Sequence, residues 1–185
     1  MLGAIWIEDR LVCIDETLDP DERPAMRGRF NFSLAHEIGH WCLHRGYVAP
    51  RWAMGDLFGE PPGPTVICRT SQKRERIEVQ ADAFAGYLLM PRDEVRHAWQ
   101  RRMGPERLRL SAAHPEWPRL VAATRLWRGA IRADPREQQD DVVEFVVRPL
   151  AEEFQVSPQA MRIRLERLGW VVRDLESTEP LFGAA

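Results

Sequence analysis

Two histidines four residues apart, His36 and His40, enclose Glu37 in a His-Glu-x-x-His pattern. In an α-helix, residues four apart differ by about 40° in direction and by about 6 Å along the axis, so both imidazoles can reach one ion. Glu37 points about 100° away from His36, where its carboxylate can take a proton from a water molecule at that ion. The pattern therefore predicts a helix with a metal site and Glu37 as the general base.

A catalytic zinc ion has three protein ligands, so a third must come from elsewhere in the chain. Glu78 and Asp82 are also four apart, in a segment whose apolar residues recur at helical intervals. Glu78 is the predicted third ligand. Asp82 is predicted to accept a hydrogen bond from the remote ring nitrogen of His36 or His40, which fixes the tautomer of that ring. Zinc is the expected metal, and another divalent ion such as Mn²⁺ is the alternative.

His44 extends the histidine row by one more turn. It lies about 12 Å along the helix axis from His36, too far to join the same ion, so packing or contact with a substrate is expected instead of ligation. The alternative for the whole set is that His36 and His40 are ordinary half-buried histidines and that Glu78 is a solvated helix acid.

Two blocks of sequence resemble the ImmA/IrrE metallo-endopeptidases, whose site is gluzincin-like. The first block is residues 29–40, Arg-Phe-Asn-Phe-Ser-Leu-Ala-His-Glu-Ile-Gly-His, and the second is residues 78–91, Glu-x-x-Ala-Asp-x-Phe-Ala leading into Leu-Leu-Met-Pro. Residues 150–169 give a weaker third match. The resemblance implies the same zinc ligands and the same catalytic Glu37 as the helix geometry, although Asp82 stands where many relatives have Asn.

The resemblance also implies a function. Such proteins cut a helix-turn-helix transcriptional repressor in the cytoplasm and so relieve repression of stress-response or mobile-element genes. A zinc-dependent endopeptidase with a protein substrate is therefore the expectation. The rival interpretation is a non-catalytic DNA- or repressor-binding regulator that retains the fold.

The pattern of apolar residues predicts an α+β fold, with a small antiparallel sheet packed on the active-site helices. A zincin-like metallopeptidase core is expected over residues 1–103. It begins with a β-hairpin of Ala4–Ile7 and Leu11–Ile14. Helices are predicted from Ser33 (or Asn31) to about Arg45 with a stop at Gly46, over residues 71–90, and from 91–93 onwards. The Pro- and Gly-rich residues 49–70 are predicted to form a loop.

The second part of the chain is predicted to be helical. Residues 104–139 form a poorly readable connecting region in which only a helix around 120–127 is indicated. Residues 140–176 resemble a helix-turn-helix segment, with helices at 142–154 and 158–168, and residues 177–185 form a tail. The helix with Arg162, Arg164 and Arg167 is expected to recognise a protein substrate or to complete the core, and not to bind DNA, because neighbouring glutamates dilute its charge. Substrate recognition is the hypothesis to be tested.

Composition narrows the function classes. A net charge of −2 supplies no overall basic field, so direct nucleic-acid binding is not expected as the main activity. The three cysteines are widely spaced and are expected to be reduced and buried. No signal-peptide core or run of about 18 apolar residues is present, so a cytoplasmic protein without a membrane span is expected.

Overall fold

The computed structural model describes residues 2–53, 66–67, 76–110 and 114–173, and of residues 47–53, 66–67 and 173 it describes the backbone alone. The chain divides into two compact units. The first comprises residues 1–97 with 151–157, and the second comprises residues 98–150 with 158–185. The described part contains six α-helices and five short β-strands. The predicted α+β class with an antiparallel sheet is confirmed.

The sheet of the first unit begins with the predicted hairpin. Strands β1 (Gly3–Trp6) and β2 (Leu11–Ile14) pair antiparallel, with Ile5 opposite Val12. A third strand, β3 (Val66–Ile67), pairs antiparallel with the other edge of β1, so the strand order is β2-β1-β3. β3 lies within the run predicted to be a loop, while residues 54–65 and 68–75 of that region lie outside the described residues. The central position of β1 buries Ala4 and Ile5.

Helix α1 (Arg27–Ala53) is longer at both ends than predicted. It starts directly after a 3-10 turn at Pro24–Met26 and not at a cap formed by Asn31 or Ser33. Gly46 lies inside it. A glycine ends a helix when it adopts the left-handed conformation, and Gly46 keeps helical backbone, so it only lowers local helix propensity by about 1 kcal/mol relative to Ala.

Helix α2 (Arg76–Leu89) packs against α1 and ends before Pro91, as predicted. The two helices meet at small residues. A Cβ atom added to Gly39 would lie 3.2 Å from the Cα atom of Ala81 and 3.2 Å from the Cβ atom of Phe84, so the glycine leaves only enough space for the facing backbone. Ala81 and Ala85 are fully buried. This close approach carries Glu78 and Asp82 towards the histidines of α1.

The first turns of α1 are held by residues 151–157, which belong to the same unit. Asn31 Nδ2 donates to the carbonyl oxygen of Gln155 at 2.9 Å, and Gln155 has a positive φ of 51°. A Cβ atom on Gly28 would collide with the backbone of Val156 and Ser157. Asn31 therefore fastens a distant turn to α1 and does not cap the helix.

The second unit contains most of the remaining elements. They are α3 (Arg92–Met103, whose first residues lie in the first unit), β4 (Leu108–Leu110), α4 (Trp117–Arg128), α5 (Pro135–Glu153), α6 (Pro158–Arg167) and β5 (Val171–Arg173). The helices predicted around 91–103, 120–127, 142–154 and 158–168 are present. The parallel pairing of β4 with β5 was not predicted. The comparison of α5 and α6 with a helix-turn-helix module stays a prediction.

Of the two alternatives for α6, substrate recognition is wrong for two of its three arginines, which lie in the core. Arg162 and Arg164 are buried, with 7% and 6% of their surface exposed, whereas Arg167 is exposed. Arg162 Nε donates to Glu144 Oε1 at 3.1 Å, and its Nη1 donates to Glu166 Oε1 at 3.2 Å. Acids on α5 and α6 thus hold Arg162 inside the second unit, where it cannot contact phosphates or a substrate.

The structure also bears on the expectations for the cysteines and for a membrane span. Cys13 and Cys42 are exposed free thiols, so the prediction of buried cysteines is wrong for both; Cys68 lies outside the described residues. Among the helices of the described residues, none has the length and apolar character needed to cross a membrane.

Candidate metal centre

The helix geometry brings His36 and His40 onto one buried face of α1, opposite Glu78 of α2. The Nε2 atoms of the two rings are 3.0 Å apart. Glu78 Oε2 lies 3.3 Å from His36 Nε2, and Glu78 Oε1 lies 3.4 Å from His40 Nε2. Both histidines are buried, and Glu78 is half-buried. The three residues that were predicted to share one ion therefore lie close together.

These three donors fit a zinc ion. Ligand atoms bound tetrahedrally at about 2.05 Å from zinc lie about 3.3 Å apart. The two imidazole nitrogens are 3.0 Å apart, and each has one of the two Glu78 oxygens at 3.3 or 3.4 Å. Two imidazole nitrogens and one carboxylate are also a ligand set of catalytic zinc sites, which keep a fourth position for water or substrate. A manganese ion would prefer more oxygen ligands than this cluster offers.

Glu78 is held in its ionised form. Burial alone would raise its pKa, but hydrogen bonds and charge interactions with His36 and His40 outweigh burial and hold the pKa of Glu78 well below its usual range. Glu78 is therefore a carboxylate at neutral pH, which is the form that binds a cation.

Asp82 lies behind His36. Its Oδ1 atom is 3.0 Å from His36 Nδ1, on the side of the ring that faces away from the cluster. A proton on Nδ1 is then donated to the carboxylate, and the lone pair of Nε2 points into the cluster. Of the two histidines that the sequence left open as partners of Asp82, the structure places His36 beside it.

His40 has a different partner, which was not predicted. His40 Nδ1 lies 3.1 Å from His44 Nδ1, and His44 Nε2 lies 3.0 Å from Gln80 Oε1. His44 is buried, with 4% of its surface exposed. Its distance from His36 rules it out as a ligand, but it follows His40 by four residues. That repeated spacing was the available signal for the contact, whereas no sequence pattern indicates Gln80.

Glu37 occupies a tight, buried position beside the hairpin. It is 1% exposed, and its Oε2 atom has no hydrogen-bond partner among the described residues. A Cβ atom on Gly3 of β1 would lie 2.6 Å from Glu37 Oε1. Burial raises the pKa of Glu37 above its usual value, although the charges of His36 and His40 oppose this shift. A buried carboxyl group with a raised pKa is suited to take up and return a proton.

Comparison with known proteins agrees with this cluster. Residues 67–126 match the M78 peptidase family, described as the IrrE N-terminal-like domain. The matched segment is less than half of the chain; it includes Glu78 and Asp82, whereas the histidine motif precedes it. No curated protein and no solved structure matches the chain. The chain thus contains an IrrE N-terminal-like segment at residues 67–126, and His36, His40 and Glu78 form a cluster that is compatible with zinc. These two findings confirm the resemblance to the ImmA/IrrE metallopeptidases.

Proposed function

We propose that this chain is a zinc-dependent endopeptidase in which His36, His40 and Glu78 hold the metal. The proposal depends on the convergence of His36, His40 and Glu78, whose ligand atoms lie within 4.8 Å of one another, beside the buried carboxyl group of Glu37. The match of residues 67–126 to a peptidase family favours a peptide bond over other hydrolysable bonds.

A zinc ion bound here would supply Lewis acidity, which polarises a scissile carbonyl group and lowers the pKa of water. Side chains of the protein transfer the proton and orient the metal ligands. Glu37 accepts a proton from the attacking water and returns it to the leaving amine, and its raised pKa favours the uptake of that proton. Asp82 holds the proton on His36 Nδ1, so that Nε2 keeps its lone pair for the metal.

The proposed substrate is a helix-turn-helix transcriptional repressor, cut in the cytoplasm during a stress response or the activation of a mobile element. The substrate, the compartment and the biological setting are proposed from the sequence resemblance to the ImmA/IrrE metallo-endopeptidases. The rival function is a non-catalytic DNA- or repressor-binding regulator, and it would need exposed arginines on α6. Arg162 and Arg164 would have to meet phosphates or an acidic partner, and both are buried in the second unit.

Replacement of Glu37 by Gln tests the proposal. The Glu37→Gln variant should bind about one zinc ion per chain like the wild type, because no ligand changes, and should lose about 10²- to 10⁴-fold in cleavage rate. Wild type and variant are each co-expressed with a candidate helix-turn-helix repressor, and fragments of the repressor are mapped by mass spectrometry. Metal content is measured on the purified proteins.

Glu8→Gln, at an exposed glutamate of the same unit, is the matched control and should cleave at the wild-type rate. Cleavage by Glu37→Gln at the wild-type rate would refute the assignment of the base. Full zinc occupancy in a His36→Ala/His40→Ala double variant would refute the metal site.

A further inference from the structure

We propose that His44 is a positioning residue of the metal centre, which accepts a hydrogen bond from His40 Nδ1–H and is itself oriented by Gln80. The inference rests on the proposed function, since it concerns the same site. His44 makes one buried contact with His40 and one part-buried contact with the exposed Gln80, and neither ligation nor acid–base chemistry explains them.

The three histidines form a continuous row along α1. The ring centroids of His36 and His40 are 4.7 Å apart, and those of His40 and His44 are 5.1 Å apart. Within this row, His40 Nδ1 meets His44 Nδ1 at 3.1 Å, and His44 Nε2 meets Gln80 Oε1 at 3.0 Å. The second contact joins α1 to α2 at a residue two positions after Glu78.

The proton positions in this row follow from one condition. When His40 Nε2 binds a cation, its lone pair is used there and the ring proton must be on Nδ1. His44 Nδ1 then has to be the acceptor, so the proton of a neutral His44 is on Nε2. That N–H group donates to Gln80, which must present its amide oxygen. Reversing the Gln80 amide would place two N–H groups against each other, so a single arrangement satisfies every group.

The two metal-facing histidines therefore have unlike partners. His36 donates to the carboxylate of Asp82, whereas His40 donates to a neutral imidazole that ends at a neutral amide. A divalent cation is balanced by the carboxylates of Glu78 and Asp82, and Glu37 already adds a third carboxyl group, which is buried, beside them. A further carboxylate at the place of His44 would add another negative charge to a buried site, which is costly. The neutral row orients His40 without adding that charge.

The experiment compares zinc affinity and ring protonation in three variants. His44→Phe keeps a ring of similar size but removes the acceptor, and its zinc affinity should fall about 10- to 100-fold. In His44→Asn, Oδ1 is the same number of bonds from Cα as Nδ1 of His44, so an acceptor is restored and most of the affinity should return. Gln80→Leu should weaken binding less than His44→Phe, because His44 remains. Zinc affinity is measured by competition with a chromophoric chelator.

The ¹⁵N NMR spectrum of the zinc-loaded wild type gives a readout independent of activity. It should show His44 as the Nε2–H tautomer with Nδ1 accepting a hydrogen bond. In Gln80→Leu, His44 should keep this tautomer, because His40 still donates to Nδ1 of His44, but the Nε2–H signal of His44 should shift because it has lost its acceptor. His97→Phe, at an exposed histidine of α3, controls for the loss of one of the five histidines and should bind zinc like the wild type.

Zinc affinity of a folded His44→Phe within twofold of the wild type would overturn the proposal, as would an Nδ1–H tautomer of His44 in the zinc-loaded wild type. If His44→Phe does not fold, the NMR spectra of the wild type and of Gln80→Leu decide. Failure of the proposed function has a different signature, because the wild type itself would then bind no zinc.

Discussion

At His36, the side of the ring that faces away from the cluster meets Asp82 Oδ1 at 3.0 Å. Hydrogen bonds of this kind orient a metal-binding imidazole and raise its basicity, so their loss weakens binding although no ligand is removed. Asp82→Ala should lower zinc affinity about 10- to 100-fold. Asp82→Asn keeps an acceptor oxygen and should have a milder effect. Chelator competition on both variants measures the difference.

Equal and negligible effects of the two Asp82 substitutions on zinc affinity would contradict this role. Thermal unfolding without metal is the control, since a purely structural contribution of Asp82 would lower the stability of both metal-free and zinc-loaded protein by the same amount.

Gly3 sets the space available to Glu37. A methyl group at Gly3 would lie 2.6 Å from Glu37 Oε1, well inside van der Waals contact, so the carboxyl group must turn away from its present position. Because proton transfer requires the carboxyl group within hydrogen-bond reach of its substrate, Gly3→Ala should reduce cleavage about 100-fold while zinc content is unchanged. Cleavage assays and metal analysis on the same preparation test this.

Gly86→Ala is the matched control, because a Cβ atom there would meet nothing within 4 Å. It lies in α2, where Ala is the better helix former, and should leave cleavage unchanged with a small gain in stability. A Gly3→Ala variant that cleaves at the wild-type rate would show that the Glu37 carboxyl group is not confined by β1.

At the scale of elements, the crossing of α1 and α2 determines the distance between the two histidines and Glu78. The contact at Gly39 is with backbone and with the first atoms of Phe84, which cannot swing away as a long side chain could. Gly39→Val should therefore push α2 outward and weaken zinc binding at least tenfold, since misplaced ligands lose affinity. Zinc affinity and unfolding temperature are the measurements.

The same substitution at Gly46 is the control. Gly46 lies in the same helix, and a Cβ atom there would meet nothing within 4 Å, so Gly46→Val changes helix propensity equally without touching α2. Equal zinc affinities of the Gly39 and Gly46 variants would mean that the crossing does not control the site.

At the scale of the whole molecule, stability should depend on pH through the second unit as well as through the metal centre. Asp141 is 1% exposed and contacts Arg128 and Arg132, with Arg132 Nη2 donating at 2.7 Å and the backbone N–H of Arg132 donating at 3.0 Å. Burial raises the pKa of Asp141, but the hydrogen bonds from Arg132 and the charges of both arginines outweigh it, so the pKa is lowered.

A lowered pKa in the folded state means that the ionised form stabilises the fold. The contribution is complete above the pKa of the unfolded chain and is lost as the pH falls through the folded value. Asp141→Asn should lower the free energy of unfolding by about 1–3 kcal/mol at pH 7. The difference from the wild type should shrink below about pH 4. Urea denaturation at several pH values measures it.

Glu116→Gln is the control, because Glu116 pairs with Arg119 on the surface of the same unit, where such pairs contribute little. Its stability should follow that of the wild type at every pH. A difference between Asp141→Asn and the wild type that stayed constant from pH 7 to pH 3 would contradict the assignment.

Short-range periodicity was enough to predict much of this molecule. The four-residue spacings place His36 beside His40 and Glu78 beside Asp82 on any helix, whatever surrounds it. The hairpin follows in the same way from two short strand-forming runs, and Pro91 limits α2 because proline cannot continue a helix. In each case the physical cause lies within one turn or one strand of the residue concerned.

Tertiary packing decided the rest, because a local pattern defines which residues share a face but not what that face meets. Asp82 could serve either histidine until the α1–α2 crossing brought it to His36. His44 gained its partner Gln80 from the same crossing. The sequence left open whether Arg162 faces a partner or the core. In the structure Arg162 is buried in the second unit, where its Nε donates to Glu144 of α5. Each outcome depends on residues 18 to 46 positions apart in the chain, a separation over which helical and strand periodicity carries no information.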